Sequence, residues 1–186
     1  MEKRNIQNPK LTENDKKVLK KILDYNKIPD SEIAKKIKIS PQAVFKIREK
    51  LENYGIIKGY MPVIDFKKIG INVMSILVIN LTSKLWKSFK DFDISNKIAR
   101  SSCIMDAYRV SDEEASHILV LAFKDISHKE KYIQDLQTKF SDEVHIKSTY
   151  TFSVDKIITH GQQNVLQEVL DNKEFSSKDL FLDKIV

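Results

Sequence analysis

The densest run of residues able to read another molecule lies between positions 40 and 54 of the 186-residue chain. Ser40-Pro41 is the strongest helix start in the sequence: a hydroxyl that can cap the first free N–H groups, then a proline whose missing N–H costs nothing there. At 100° per residue, Val44, Ile47, Leu51 and Tyr54 gather on one side of this helix, so Gln42, Phe45, Lys46, Glu49 and Asn53 point the other way. That outward set suits base edges in a DNA major groove. Glutamine pairs bidentately with adenine, lysine with guanine or phosphate and glutamate with the cytosine amino group, while phenylalanine packs on a thymine methyl. A merely solvated face is the bland alternative, and an outward phenylalanine argues against it.

Two lead-in elements must position this helix. Thr12 with Asp15 forms a capping box, and Val18, Leu19, Ile22 and Leu23 then make one apolar stripe, which gives a first helix ending near Asn26. After Ile28-Pro29, Asp30 or Ser31 can cap a second, short helix with Ile33, Ala34 and Ile37 inward and Lys35 and Lys36 outward. A tight turn at Lys38-Ile39 leads to Ser40, and Gly55 ends the third helix after Tyr54. Helix, tight turn and capped helix after a lead-in helix is the helix-turn-helix arrangement, whose second member enters the major groove. The candidate DNA contacts are Ser31, Ser40, Gln42, Phe45, Lys46, Arg48, Glu49, Lys50 and Lys58. Residues 56–65 read as a strand leaving the helix, with Gly59 at a turn.

The charge distribution agrees. Residues 1–68 hold 17 Lys/Arg against 9 Asp/Glu, whereas the rest holds 15 against 17, so the formal excess of +6 belongs to one end. A basic module joined to a mildly acidic one is the footprint of a nucleic-acid-binding domain carried by a partner domain. Lysine-rich composition alone would give a similar excess; the capped third helix decides between them.

The run from Asp15 to Gly70 resembles the Lrp/AsnC, or feast/famine, family of transcription regulators. The resemblance rests on Asp-Lys-Lys-Val-Leu-Lys-Lys-Ile-Leu, on Asp-Ser-Glu-Ile-Ala-Lys-Lys-Ile-Lys-Ile-Ser-Pro-Gln-Ala-Val and on Leu-Glu-Asn-Tyr-Gly-Ile-Ile-Lys-Gly-Tyr, in that order. Two positions depart from it: Lys38 stands where the family usually has the turn glycine, and Ile47-Arg48 reverses the commoner order of arginine then apolar residue.

Beyond residue 71 strand and helix patterns alternate. Strands 73–81 and 117–123 are apolar on both faces and belong in the middle of a sheet; 104–110 and 144–154 alternate and belong at its edges. In the last strand Ile146, Tyr150 and Phe152 share one face. A helical stripe of Leu85, Phe89 and Phe92, widened by Trp86, joins the first two strands, and a capping box from Ser127 to Glu130 opens the helix before the fourth. The fold class is α+β, an N-terminal winged helix-turn-helix joined to a ferredoxin-like βαββαβ domain. Helices cover one sheet face only, which leaves Met74, Ile76, Val78, Ile118, Val120 and Ala122 on the other, a larger apolar patch than soluble monomers tolerate. A second copy covering that face makes the chain a homodimer or higher homo-oligomer. The resemblance implies the same, since the family's RAM domain dimerises sheet to sheet.

The resemblance also implies an amino-acid effector at the loop after the second strand, which in the family carries a glycine and an aspartate. Here the loop offers Ser111, Asp112, Glu113 and Glu114 without glycine, so neutral amino acids should bind weakly and a cationic one is the exception. The domains read as 1–60 DNA-binding, 61–70 linker and hinge, 71–157 dimerisation and effector domain, and 158–186 a C-terminal extension outside the resemblance, with a helix around Val165, Leu166, Val169 and Leu170 and an apolar tail from Leu180.

As an enzyme the chain is poorly equipped: it has no glycine-rich phosphate loop, no His-Glu-x-x-His helix and no nucleophile elbow, and its histidines are scattered. The alternative is an enzyme similar to siroheme decarboxylases, which share this two-domain architecture; the intact Ser-Pro helix makes double-stranded DNA the better partner. One cysteine, Cys103, excludes an internal disulfide and a thiolate zinc cluster. No cofactor is expected. Without a signal-like start or a long apolar run, the sequence reads as an intracellular, cytoplasmic protein with no membrane segment.

Overall fold

A computed structural model describes residues 9–25, 28–159, 161 and 163–171. They fall into two compact units: one holds the described residues up to Val63 together with those from Gly161 onward, the other is Ile64–Thr159.

The first unit contains α1 (Glu13–Tyr25), α2 (Asp30–Ile37), α3 (Pro41–Asn53) and α7 (Gln163–Leu170). The start of α1 is a reciprocal capping box: Thr12 N–H donates to Asp15 Oδ2 at 2.8 Å and Asp15 N–H to Thr12 Oγ1 at 3.2 Å. The start of α2 differs from expectation. Pro29 occupies its cap position with no side-chain hydrogen bond, and Asp30 is already helical, its carboxylate taken by Arg48. Val18, Ile22, Ile28, Ile33, Ala34 and Val44 form the core, with Ile37, Ile39, Ile47 and Ile57 packed around it. Tyr54, expected inward, is 55% exposed, because it caps α3 one turn beyond the core. Residues 56–65, expected as a strand, carry no strand pairing; with no partner ladder the segment is an extended connection held by Ile57 in the core.

α7 lies on α1. Gln167 Nε2 donates to Asp24 Oδ1 at 2.7 Å, Lys20 pairs with Asp171, and Leu166 and Leu170 share a groove of about 870 Å3 with Leu19 and Leu23. The apolar stripe read on α1 is therefore split: Val18 and Ile22 serve the core, Leu19 and Leu23 the α7 side. The tail from Leu180 lies outside the described residues.

The second unit runs β1 (Val73–Leu81), α4 (Ser83–Ser88), α5 (Asp91–Ala99), β2 (Ile104–Arg109), β3 (His117–Phe123), α6 (Ile126–Lys139) and β4 (Val144–Ser153). The strand order is β2-β3-β1-β4, antiparallel throughout, with β1 and β3 central. The single helix expected between β1 and β2 is two, because Phe89 and Lys90 adopt extended backbone and restart the chain as α5. Asp125 rather than Ser127 caps α6, its Oδ1 accepting from His128 N–H at 2.8 Å.

Leu77, Ile79, Leu81, Leu119, Leu121 and Phe123 fill the helix-covered side with Ile94. On the other side Ile76 pairs with Val120 and Val78 with Ile118, flanked by Tyr150 and Tyr108, which are 60% and 55% exposed. Met74, expected open on this face, is only 5% exposed between its cross-strand neighbours Ala122 and Phe152. Ile146 does not share the face of Tyr150 and Phe152. A bulge sets Val78 against Ser148 but Ile79 against Ile146, so Lys147 is the extra residue, and one inserted residue reverses every side chain beyond it.

Eight residues make too short a helix to persist alone in water, so α7 depends on its α1 contact. The double variant Leu166→Ser/Leu170→Ser should destabilise the helical unit by about 2 kcal/mol, read as faster hydrogen exchange along α1 while β1 and β3 keep their protection.

Candidate nucleic-acid interface

The outward face of α3 matches the sequence wheel. Gln42, Phe45, Lys46 and Glu49 are exposed, Phe45 at 59%, and the side chains of Gln42, Lys46 and Glu49 make no hydrogen bond or ion pair with any described residue. Ser31 at the start of α2 and Lys58 beyond α3 are exposed as well. Ser40 is spent on the helix itself, its Oγ accepting from Ala43 N–H at 3.1 Å.

Two expected DNA contacts do other work. Arg48 Nε and Nη2 donate to Asp30 Oδ1 at 2.8 and 2.6 Å, Nη2 to Ile28 C=O at 3.2 Å and Nη1 to Tyr60 OH at 3.0 Å; Tyr60 in turn donates to Glu52 at 2.8 Å. This fork ties α3 to the start of α2 and to the chain that leaves α3, so Arg48 is a positioning residue. Lys50 Nζ donates to Asp15 Oδ2 at 2.6 Å, which binds α3 to the start of α1. Asp15 is 2% exposed. Burial pushes its carboxyl up, but hydrogen bonds from Lys50 and from the Thr12 N–H and hydroxyl outweigh this and hold it below the ordinary 3.8. Neither tie is legible from helix periodicity, which shows a face but not a partner.

The turn before α3 bears on the missing glycine. Lys38 has φ +59° and ψ +48°, and it donates its backbone N–H to Ala34 C=O, as does Ile39. The left-handed turn is made with a lysine, at a strain of about 1–2 kcal/mol that glycine would avoid.

Residues 11–58 match the family model of a winged helix-turn-helix DNA-binding domain. LrpA of Pyrococcus horikoshii, an HTH-type transcriptional regulator, is 31% identical over 103 residues, which cover 55% of this chain and 70% of that protein. The chain belongs to the Lrp/AsnC family. The transcriptional regulator AzlB of Bacillus subtilis is 29% identical over 127 residues, 67% of this chain and 78% of its own. The fold of B. subtilis LrpC superposes with a TM-score of 0.65 at 22% identity, over 82% of this chain and all of that one. A Neisseria meningitidis transcriptional regulator solved with L-Met superposes at 0.64, with 16% identity, over 83% and 96%. The chain is thus a DNA-binding transcriptional regulator, and the decarboxylase alternative is not favoured: its relatives are regulators.

As in the family pattern, a loop follows β2, here without the glycine. Val110 N–H bonds Ser116 C=O at 3.0 Å, and Asp112 Oδ1 accepts from Glu114 N–H at 2.8 Å, so an aspartate turn does the bending. Ser111, Asp112, Glu113 and Glu114 are all exposed. Among the described residues no group of three or more His, Cys, Asp or Glu side chains could hold a metal ion, and no helix is long and apolar enough to cross a membrane.

Because Asp15's carboxyl sits below 3.8, its contribution to stability is complete above that value and is lost as pH falls through the lower folded-state value. Asp15→Asn should flatten this part of the acid-unfolding curve, and at neutral pH loss of the charge facing Lys50, with the capping box kept by the amide oxygen, should lower the melting temperature. Circular dichroism melts between pH 2 and 7 would read both.

Proposed function

We propose that the α3 face of Gln42, Phe45, Lys46 and Glu49 reads base edges, with Ser31 and Lys58 against the phosphates, and that residues 71–157 assemble the regulator as a dimer or higher oligomer. The observation that carries the first part is that these α3 side chains are exposed and unpartnered, while the neighbouring Arg48 and Lys50 are held by carboxylates. Residues 61–70 then serve as the linker and 158–186 as an extension. Gln42→Ala and Lys46→Ala should change preference at particular base pairs by about 1–3 kcal/mol each. Lys58→Ala should weaken all sequences alike and lower the salt slope by about 0.9. Selection of genomic fragments followed by fluorescence anisotropy against salt tests this; an affinity for duplex DNA that ignores salt would refute it.

The open sheet face of Ile76, Val78, Ile118 and Val120, with Met74 beneath, supports self-association, because apolar surface of that kind is covered in soluble proteins. Val78→Asp should convert the full-length protein to a monomer, since an unpaired charge between packed sheets costs on the order of several kcal/mol. Light scattering at micromolar concentration gives the answer, and a wild-type monomer would remove the interface. The Neisseria relative's L-Met supports control by a small molecule. At the loop of Ser111, Asp112, Glu113 and Glu114 three carboxylates would favour a cationic amino acid over a neutral one.

A further inference from the structure

The turn between α2 and α3 holds the one non-glycine residue with positive φ among the described residues. Lys38 sits at φ +59° and ψ +48°, where its Cβ crowds the following carbonyl, a conformation that glycine adopts freely. Nothing in the backbone of the turn asks for a lysine. Its N–H and that of Ile39 both donate to Ala34 C=O, so the bend is closed by main-chain bonds that any residue could make. Ile37 and Ile39 on either side pack against the core of the unit, and Lys38 between them is exposed. Its ammonium makes no hydrogen bond or ion pair with any described residue.

Strain of this kind is kept where the side chain has a use of its own. Within the unit the charge gains only the field at the C-terminus of α2, a helix of 8 residues whose last turn already carries Lys35 and Lys36. Outside the unit the position has more to offer. Ser40, two residues on, caps α3, and Gln42 and Lys46 belong to the exposed α3 face. When the second helix of the motif lies in the major groove and the first crosses the DNA backbone, the turn that joins them passes the phosphates at the edge of the groove. A lysine there carries its charge on a flexible four-carbon stem and can reach a phosphate oxygen that the N–H groups of the turn, both taken by Ala34, cannot serve.

We propose that Lys38 is a phosphate contact of the DNA-reading unit, and that its charge takes the place of a turn glycine at a cost in stability. The inference rests on α3 being the helix that enters the groove. The contact is independent of sequence: it adds affinity and fixes the register of α3 on the duplex without selecting bases. Lys38 joins Lys46 as an unpaired cation beside the reading face, in contrast to Arg48 and Lys50, which are held by carboxylates.

The test measures melting temperature, and duplex affinity against salt by fluorescence anisotropy, for the full-length protein and its variants Lys38→Gly, Lys38→Asn and Lys38→Arg. One duplex comes from the genomic selection and one has an unrelated sequence. Glycine and asparagine tolerate the left-handed turn without a charge, so these two variants should melt at or above the wild type. They should bind both duplexes about eightfold more weakly at about 0.1 M salt, the difference closing towards about 1 M, with a slope of log affinity against log salt smaller by about 0.9. Lys38→Arg keeps the charge and the strain and should match the wild type in both readings. An unchanged slope in Lys38→Gly and Lys38→Asn would overturn the proposal, as would a loss confined to the selected duplex or an arginine variant that behaves like the asparagine one. Melting below the wild type in both uncharged variants would overturn it too, since the lysine would then serve the fold. Lys46→Ala on the same duplexes separates the two readings. If it alters base preference while the Lys38 variants change nothing, only this proposal fails; if none of them alters binding, the reading of α3 fails.

Discussion

The Arg48 guanidinium is the joint on which the DNA-reading unit depends. One planar group bonds the Asp30 carboxylate, the Ile28 carbonyl and the Tyr60 hydroxyl, and so connects α3 to the start of α2 and to the chain beyond α3. Arginine suits this role because its five donors form a rigid fork; a lysine would offer a point charge with no fixed geometry. The Lys50–Asp15 pair does the same towards α1, where Asp15 also closes the capping box. Helix orientation is therefore set by charge-assisted hydrogen bonds at the rim of a small apolar core.

This division of labour sorts the basic residues of α3. Two of the cations expected to face DNA are neutralised by carboxylates within the unit, and the third, Lys46, stays without a partner. A charge already paired and partly desolvated gains little from a phosphate, whereas an unpaired one releases counterions in full. The net positive charge of this end of the chain thus overstates what is available to a ligand.

The second unit shows how one inserted residue changes the meaning of an alternating pattern. β1 and β3 keep strict registry, so their two apolar sets divide between the helices and the open face. β4 carries a bulge at Lys147, which sends Ile146 under the helices and leaves Tyr150 and Phe152 on the open side. At the other edge, β2 skips Met105 in its pairing with β3. Both irregularities lie on edge strands.

The amino-acid sequence by itself determined the helix-turn-helix, the βαββαβ order and which strands are central, because caps, period and two-sided apolar runs are local signals that need no knowledge of a partner. Ser40-Pro41 at the head of α3 and the apolar 117–123 strand are of this kind. The outward face of α3 was legible for the same reason. Tertiary structure alone decided that Arg48 and Lys50 are ties, that Asp30 accepts from Arg48 rather than capping α2, that α4 and α5 are separate, and that Ile146 turns inward. It also decided the burial of His117, whose Nδ1 meets a serine hydroxyl held by β1. Each of these rests on contacts between residues far apart in the chain or on a register shift, and a hydrophobic period carries no record of either.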